Sequence, residues 1–268
     1  NYDVAQLHLG WYATWSLRLT VPRPNDIEFV HLINTRGVVS TTYDWTIVGN
    51  VITRNPGSTY IIGNEMEAVY QGNHTPAQFA ALYNAFYHYI KGRDPSATVG
   101  VGGVVMVSEA RLRWLQGVLD AYAASHDGAP MPMDFWTIHE QILGGAEYTS
   151  GNTTNWPVGI GVPLTGENEY HSWECNKAGG PNDLQQFKND IIRFRQWMNQ
   201  KGYRDKPLWI SEYGVLGGDA YGCTQKVIGQ YLVQTMDWLN TATDAALGLP
   251  ADEDRLVQRW LWYSMNDQ

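Results

Sequence analysis

The stretch STYIIGNEME, residues 58–67, decides the fold. Thr59 to Ile62 are β-branched or aromatic, the run is strand-sized, and it breaks into Gly63-Asn64-Glu65. Residues 206–215, KPLWISEYGV, have the same build: Leu208-Trp209-Ile210 lead straight into Ser211-Glu212. Beyond the first stretch, Thr75-Pro76 opens PAQFAALYNAFYHYIKG, where apolar residues recur every three or four positions. Thr suits a cap and Pro the first turn, so a helix is predicted there. A strand followed by a helix, repeated, is the pattern of parallel βα units.

Further outward, strands are predicted at 7–15, 27–34, 97–106, 133–142 and 255–265. Helices are predicted at 44–54, from a cap at Ser108, over 182–202 and at about 224–240. No composition shift marks a second domain. The expected architecture is therefore a single α/β domain over 1–268, a (β/α)8 TIM barrel with one degenerate or incomplete βα unit. Only seven strands are readable; Val38-Val39-Ser40-Thr41-Thr42 is the weak candidate for an eighth. A doubly wound open sheet is the rival, but no Gly-rich phosphate fingerprint follows the first strand. Gly100-Val101-Gly102-Gly103 is read as close packing within the barrel. Residues 143–181 break the rhythm with a long Gly-, Asn-, Thr- and Trp-rich segment; segments of this length are usually functional or disordered.

Composition narrows the chemistry. The chain has 268 residues, 44% hydrophobic and 17% charged, enough apolar material for a core. Its net charge of -9 removes the basic footprint of a nucleic-acid binder, and no apolar run approaches the ~20 residues that span a bilayer. The excess is aromatic, with 12 Trp, 16 Tyr and 6 Phe. Trp is costly to hide because its N–H needs a partner, so some rings should line an open surface, and flat rings suit sugars. Cys175 and Cys223 can close one disulfide or stand as free thiols; their polar, Gly-containing surroundings favour the bridge, and with it an exported protein. The start NYDVAQLHLGW shows no basic region followed by an apolar one, so any signal peptide is expected to be already removed.

In a parallel barrel the C-terminal strand ends carry the active site, which would bring Glu65 and Glu212 face to face across the mouth. Two opposed carboxylates are what glycoside hydrolysis requires: one donates a proton to the departing oxygen while the other attacks or activates water. Glu67 and Glu140 should point elsewhere, because strand side chains alternate. Trp11 and Trp15 share a parity opposite to Tyr12, and Trp15 lies nearer the catalytic end. No HxH, HExxH or Asp-rich calcium loop occurs, so no metal and no cofactor are expected.

Gly63-Asn64-Glu65 after an apolar strand, and Trp209-Ile210-Ser211-Glu212-Tyr213-Gly214 three strands later, resemble the two catalytic strands of clan A retaining glycoside hydrolases. Within the clan the chain is most similar to the β-1,3-glucanases of glycoside hydrolase family 128, through GWYATW, the Asn-Glu strand and the final RWLWYSM. It departs from that family at Met66, where Pro is typical. The resemblance implies that the unread strand lies before Glu65. It makes Glu65 the acid/base, Glu212 the nucleophile, and Asn64 the partner of the sugar 2-hydroxyl. It also implies that His139 touches the sugar or orients a carboxylate, and that Trp262 is the platform beside the cleaved bond. Trp15, Tyr213, Trp156 and Trp173 are further expected substrate contacts, with Tyr148 and Tyr170 as candidates and Arg36 as a conceivable partner for Glu212.

The expected activity is thus retaining hydrolysis inside a β-linked polysaccharide, glucan first and β-1,3 ahead of β-1,4, by a secreted monomer. The expected partner is a polysaccharide or oligosaccharide, with neither nucleic acid nor membrane. The alternative is a non-catalytic carbohydrate-binding barrel; a metal-dependent hydrolase ranks third.

Overall fold

Seven parallel strands lie side by side in chain order in the computed structural model, which describes residues 9–23, 26–38, 43–142, 156–161, 172–216 and 218–263. They are β1 (Trp11–Thr14), β2 (Glu28–Ile33), β3 (Thr59–Ile62), β4 (Thr98–Val101), β5 (Phe135–Glu140), β6 (Leu208–Tyr213) and β7 (Arg259–Trp262). Helices α1 (Trp45–Arg54), α2 (Pro76–Arg93), α3 (Glu109–Ser125), α4 (Leu184–Gln200) and α5 (Gln225–Thr241) follow β2, β3, β4, β5 and β6 in turn. The result is a nearly closed TIM-like barrel, as the alternating pattern implied. No described helix is long and apolar enough to cross a membrane.

The sequence starts each helix where its caps allow. Thr75 accepts from the Gln78 backbone N–H while the Gln78 side chain answers the Thr75 N–H, a reciprocal box worth about 1 kcal/mol. Ser108 caps α3 in the same position. Apolar residues then form two layers. The barrel interior is small and aromatic: Trp11, Val30, Ile61, Phe135 and Trp209, with Phe135 stacked on Trp209 at 3.9 Å. The larger layer lies between sheet and helices and takes the alternate strand residues Tyr60, Ile62, Trp136, Ile138 and Ile210. Strands covered on both faces need apolar residues throughout, which is why they were readable as continuous runs.

β1 and β7 share no ladder among the described residues. Between them runs a slot of about 780 Å³, walled by Trp11, Ala13, Arg259 and Leu261. Every residue of β7 and three of four in β1 are only half-buried. Among the described residues the gap in the barrel therefore lies at this seam, between β7 and β1. Of the weak candidate 38–42 only Val38 is described, and it belongs to no strand. The predicted strands at 58–67 and 97–106 are shorter than expected, because Gly63 (φ 95°) ends β3 and Gly102 packs so closely on the Gly63 carbonyl that a Cβ would collide with it. The Gly-rich patch is close packing, as read.

Cys175 and Cys223 are bridged, with Cα atoms 5.2 Å apart and 48 positions between them in sequence. The bridge ties the described end of the irregular segment to the turn before α5. Replacing both cysteines by Ser is expected to cost about 2–4 kcal/mol, the entropy regained by a loop of this length, measurable by urea denaturation.

Candidate active site

The two carboxylates arrive at the mouth by different local devices. Glu65 follows β3 in a tight turn and holds φ at 45°, a left-handed conformation uncommon for a non-Gly residue. The turn is over-determined: Glu65 N–H donates to the Gly103 carbonyl at 2.9 Å, and the Glu65 carbonyl accepts from Ala68 and Gly72 at 3.1 Å each. Met66, fully buried, fills the space beside Gly63. A backbone outlier held this firmly points to a functional position.

Glu212 owes its aim to a bulge. His139 pairs with Glu212 while Ile138 pairs with Ile210, so Ser211 is an extra residue in β6. Trp209 faces the interior and Ile210 the helices. Strict alternation would have sent Glu212 outward; the bulge turns it to the mouth and puts Tyr213 outside instead.

His139, buried at the end of β5, lies between the two acids. Its Nδ1 is 3.0 Å from Glu65 Oε1 and its Nε2 is 3.6 Å from Glu212 Oε1. One carboxylate oxygen of Glu65 and one of Glu212 come within 4.8 Å of each other. Burial alone would drive the imidazole pKa down, but the Glu212 charge and the Glu65 hydrogen bond outweigh it and push it up to about 9. The raised pKa favours a protonated imidazole between the two acids at neutral pH. The same three groups lie close enough to converge on a cation, and the hydrogen bond between His139 and Glu65 makes them equally able to share a proton.

Glu212 has two further donors. Trp15 Nε1 donates to Oε1 at 2.8 Å and Gln141 Nε2 to Oε2 at 3.4 Å. The Trp15 ring, half-exposed, meets Tyr263 edge-on at 5.6 Å. Trp15, Asn34, Asn64, Gln71 and Tyr263 join the two acids around an open pocket of about 240 Å³. Asn64 is buried, and its Oδ1 has no partner among the described residues. A buried acceptor left unpaired costs roughly 1–3 kcal/mol, which a donor on a bound molecule would relieve.

Several expected contacts lie elsewhere. Trp262 packs 5.1 Å from the Tyr213 ring and shares its parity with Trp260; it lines the slot beside β1 together with Trp15 and Glu212, while Tyr263, one residue on, reaches the pocket of the two acids. Tyr213 is fully buried against Phe187 behind the bulge. Trp156 is buried beside Arg113 on α3, and Trp173 is half-exposed near the disulfide; neither lines the pocket of the two acids. Tyr148 and Tyr170 lie outside the described residues. Arg36 makes no ion pair with Glu212 among the described contacts; its backbone N–H bonds Asn34 Oδ1. Trp11 sits in the interior beside Trp209, and Tyr12 faces outward against Phe29, as their parity required.

Sequence reasoning missed Asn34, Gln71, Gln141 and Tyr263. Asn34 and Tyr263 directly follow β2 and β7, so strand-end position could have found them. Gln71 sits in the turn after Glu65, with no local signal.

The neighbouring acids do point away. Glu67 is fully buried and ion-paired with Arg111 of α3, and it also accepts from the Val105 N–H at 2.8 Å. Glu140 faces α4 and shares a hydrogen bond with Asp190, which Gln186 and Arg193 also contact. Burial, then the neighbouring carboxylate, raises Glu140 well above the usual range, and burial raises Asp190 to about 6. Both groups bind protons more tightly folded than unfolded. Their contribution to stability is thus full below the unfolded carboxylate range, about pH 4, and is lost as pH rises through 6 and beyond. Urea midpoints should fall from pH 5 to pH 8, and Glu140→Gln should narrow that fall; an equal fall in both proteins would refute the assignment.

No protein-family profile matches the chain, and no curated protein matches it in sequence. Solved structures do match in fold. An endo-β-1,3-glucanase of glycoside hydrolase family 128, subgroup II, from Sorangium cellulosum superposes with a TM-score of 0.61 at 14% identity, covering 99% of this chain and 83% of the other. A subgroup III curdlan-specific exo-β-1,3-glucanase from Blastomyces gilchristii, in complex with glucose, gives 0.59 at 18% identity over 95% and 80%. A subgroup I endo-β-1,3-glucanase from Amycolatopsis mediterranei, in complex with laminaritriose, gives 0.58 at 16% identity over 98% and 83%. At these identities the likeness is one of fold.

Proposed function

We propose that this chain hydrolyses β-1,3-glucan by double displacement, with Glu212 as nucleophile and Glu65 as acid/base. The observation that carries the reading is the pair of carboxylates at the C-terminal ends of β3 and β6, their nearest oxygens within 4.8 Å. Retaining enzymes hold their two carboxyl groups about 5–5.5 Å apart, whereas inverting ones leave about 6.5–9.5 Å for a water. The donor sets assign the roles. Trp15 and Gln141 donate to Glu212, with the imidazolium of His139 nearby, which favours a permanent carboxylate; Glu65 is bonded by His139 alone among the contacts described. Asn64, with its unpaired Oδ1 in the pocket, is positioned to accept from a sugar hydroxyl.

The fold neighbours supply the substrate class, since family 128 structures include complexes with laminari-oligosaccharides. An open pocket rimmed by the exposed ring of Trp15 suits cleavage inside a chain. The disulfide supports export, and the form proposed is a single-domain monomer.

The test is release of reducing ends from laminarin and curdlan, with the first-formed anomer read by proton NMR. A β-anomer appearing first is expected. An α-anomer first would refute double displacement, and binding to curdlan without hydrolysis would favour the non-catalytic barrel. Trp15→Phe keeps a ring but loses the N–H to Glu212. It should lower kcat by about tenfold, the value of one charge-assisted hydrogen bond, with a smaller change in KM.

A further inference from the structure

We propose that His139 and Glu65 act as one acid: the resting site stores its transferable proton on the imidazole, and Nδ1 passes it to Glu65 Oε1 as the glycosidic bond breaks. The inference rests on the hydrolase reading above and goes beyond it. A lone Glu acid must hold its own proton beside a second carboxylate. Here the 3.0 Å contact from Nδ1 to Oε1 offers the proton another place, and the 3.6 Å approach of Nε2 to Glu212 adds the charge that keeps it there.

The other charged group facing the ring is Glu67, beyond Glu65, and its charge is paired with Arg111. From the β4 side Gly103 packs against the ring, where a Cβ would strike the imidazole. The ring is thus packed in place, with both nitrogens committed to the two acids.

The arrangement couples the two halves of the chemistry. The Glu212 charge is the strongest influence holding the proton on His139, against burial, which opposes it. When Glu212 Oε attacks the anomeric carbon, that charge is consumed in the new ester. Only the Glu65 and Glu67 interactions then oppose burial, so the proton is held less tightly in the step that needs it. The Nδ1–H bond breaks as Oε1–H forms; Oε1 gives the proton to the glycosidic oxygen as its bond to the anomeric carbon breaks. Imidazole and Glu212 end neutral, and Glu65 ends ionised. In the second half Glu65 takes a proton from water and returns it to Nδ1, while the water oxygen displaces Glu212. The charge on the site is the same before and after.

The test compares wild type, His139→Asn and His139→Gln on laminari-oligosaccharides and on a 2,4-dinitrophenyl β-glucoside, whose leaving group departs without a proton. Loss on the oligosaccharide should exceed loss on the dinitrophenyl substrate by at least ~30-fold, within the range of general acid assistance. The basic limb of kcat/KM should also move to lower pH. Equal losses on both substrates, or an unmoved limb in an active wild type, overturn the relay and leave the hydrolase reading intact. A wild type inactive on every β-glycan overturns the hydrolase reading instead. Nitrogen-15 NMR of the wild type gives a readout that needs no variant to fold. A cationic His139 at pH 7 is expected, and its titration should move to lower pH in Glu65→Gln; a neutral imidazole at pH 7 overturns the stored proton.

Discussion

Glu212→Gln should lose at least ~10³-fold in glucan hydrolysis, because the variant keeps the shape of the side chain and loses the charge that attacks. The amide would still meet Trp15 and Gln141 at the mouth, so folding should be preserved; circular dichroism and an unchanged melting temperature would show it. Glu65→Gln should lose ~10²–10⁴-fold in kcat/KM on oligosaccharide and much less in kcat/KM on a substrate with an activated leaving group, since kcat/KM reports the first half, where only proton donation is removed. That contrast separates the two roles. If Glu65→Gln loses equally on both substrates while Glu212→Gln shows leaving-group dependence, the assignments are reversed. If both variants keep wild-type turnover, the site is not catalytic.

Breaking the ion pair beneath the site should have the largest effect on stability. Arg111→Met would leave Glu67 fully buried, with only the backbone N–H groups of Val105 and of Glu67 itself as described donors. Removing one partner of a buried pair costs about 3–5 kcal/mol, and the loss should be smaller at acid pH, where Glu67 can protonate. Burial already raises the Glu67 pKa, opposed chiefly by Arg111, so deleting the guanidinium raises it further. The double change Glu67→Gln with Arg111→Met should recover much of the deficit, since neither charge then needs solvation. Urea denaturation at pH 5 and pH 8 reads all three proteins. An Arg111→Met midpoint equal to wild type at pH 8 would show that the pair contributes nothing. Glu67 lies two positions after Glu65 in the same turn, so this pair also anchors the acid to α3.

Much of this was legible in the sequence because of where parallel strands sit. Covered on both faces, β3, β5 and β6 appear as apolar runs, and an acid at the end of such a run is conspicuous. Glu65, Glu212 and Asn64 line one pocket for that reason, and His139 lies against both acids. The errors share one cause, which is that facing was inferred without backbone detail. The single-residue bulge at Ser211 exchanged the directions of Glu212 and Tyr213, and nothing in Ile-Ser-Glu-Tyr announces a bulge. Trp262 was chosen for its ring, although its parity with Trp260 assigns it to the helix side. Gln141 carried no signal, because its contact with Glu212 exists only once β5 and β6 are paired.

The seam between β1 and β7 has a mechanical consequence. Around a closed barrel each strand is riveted to the next by backbone hydrogen bonds, so the girdle is stiff in every direction. Among the described residues this girdle is fastened at one point by side chains: Trp11 on Trp209, Arg259 on Glu28, and Trp15 on Glu212 and Tyr263. Side-chain fasteners loosen at lower free energy than a ladder does, so the girdle should yield first at this clasp. One of its three fasteners ends on the proposed nucleophile. A sugar pressing on Trp15 would therefore tug on the clasp and on Glu212 together, and the width of the mouth and the aim of the attacking oxygen would vary as a single adjustment.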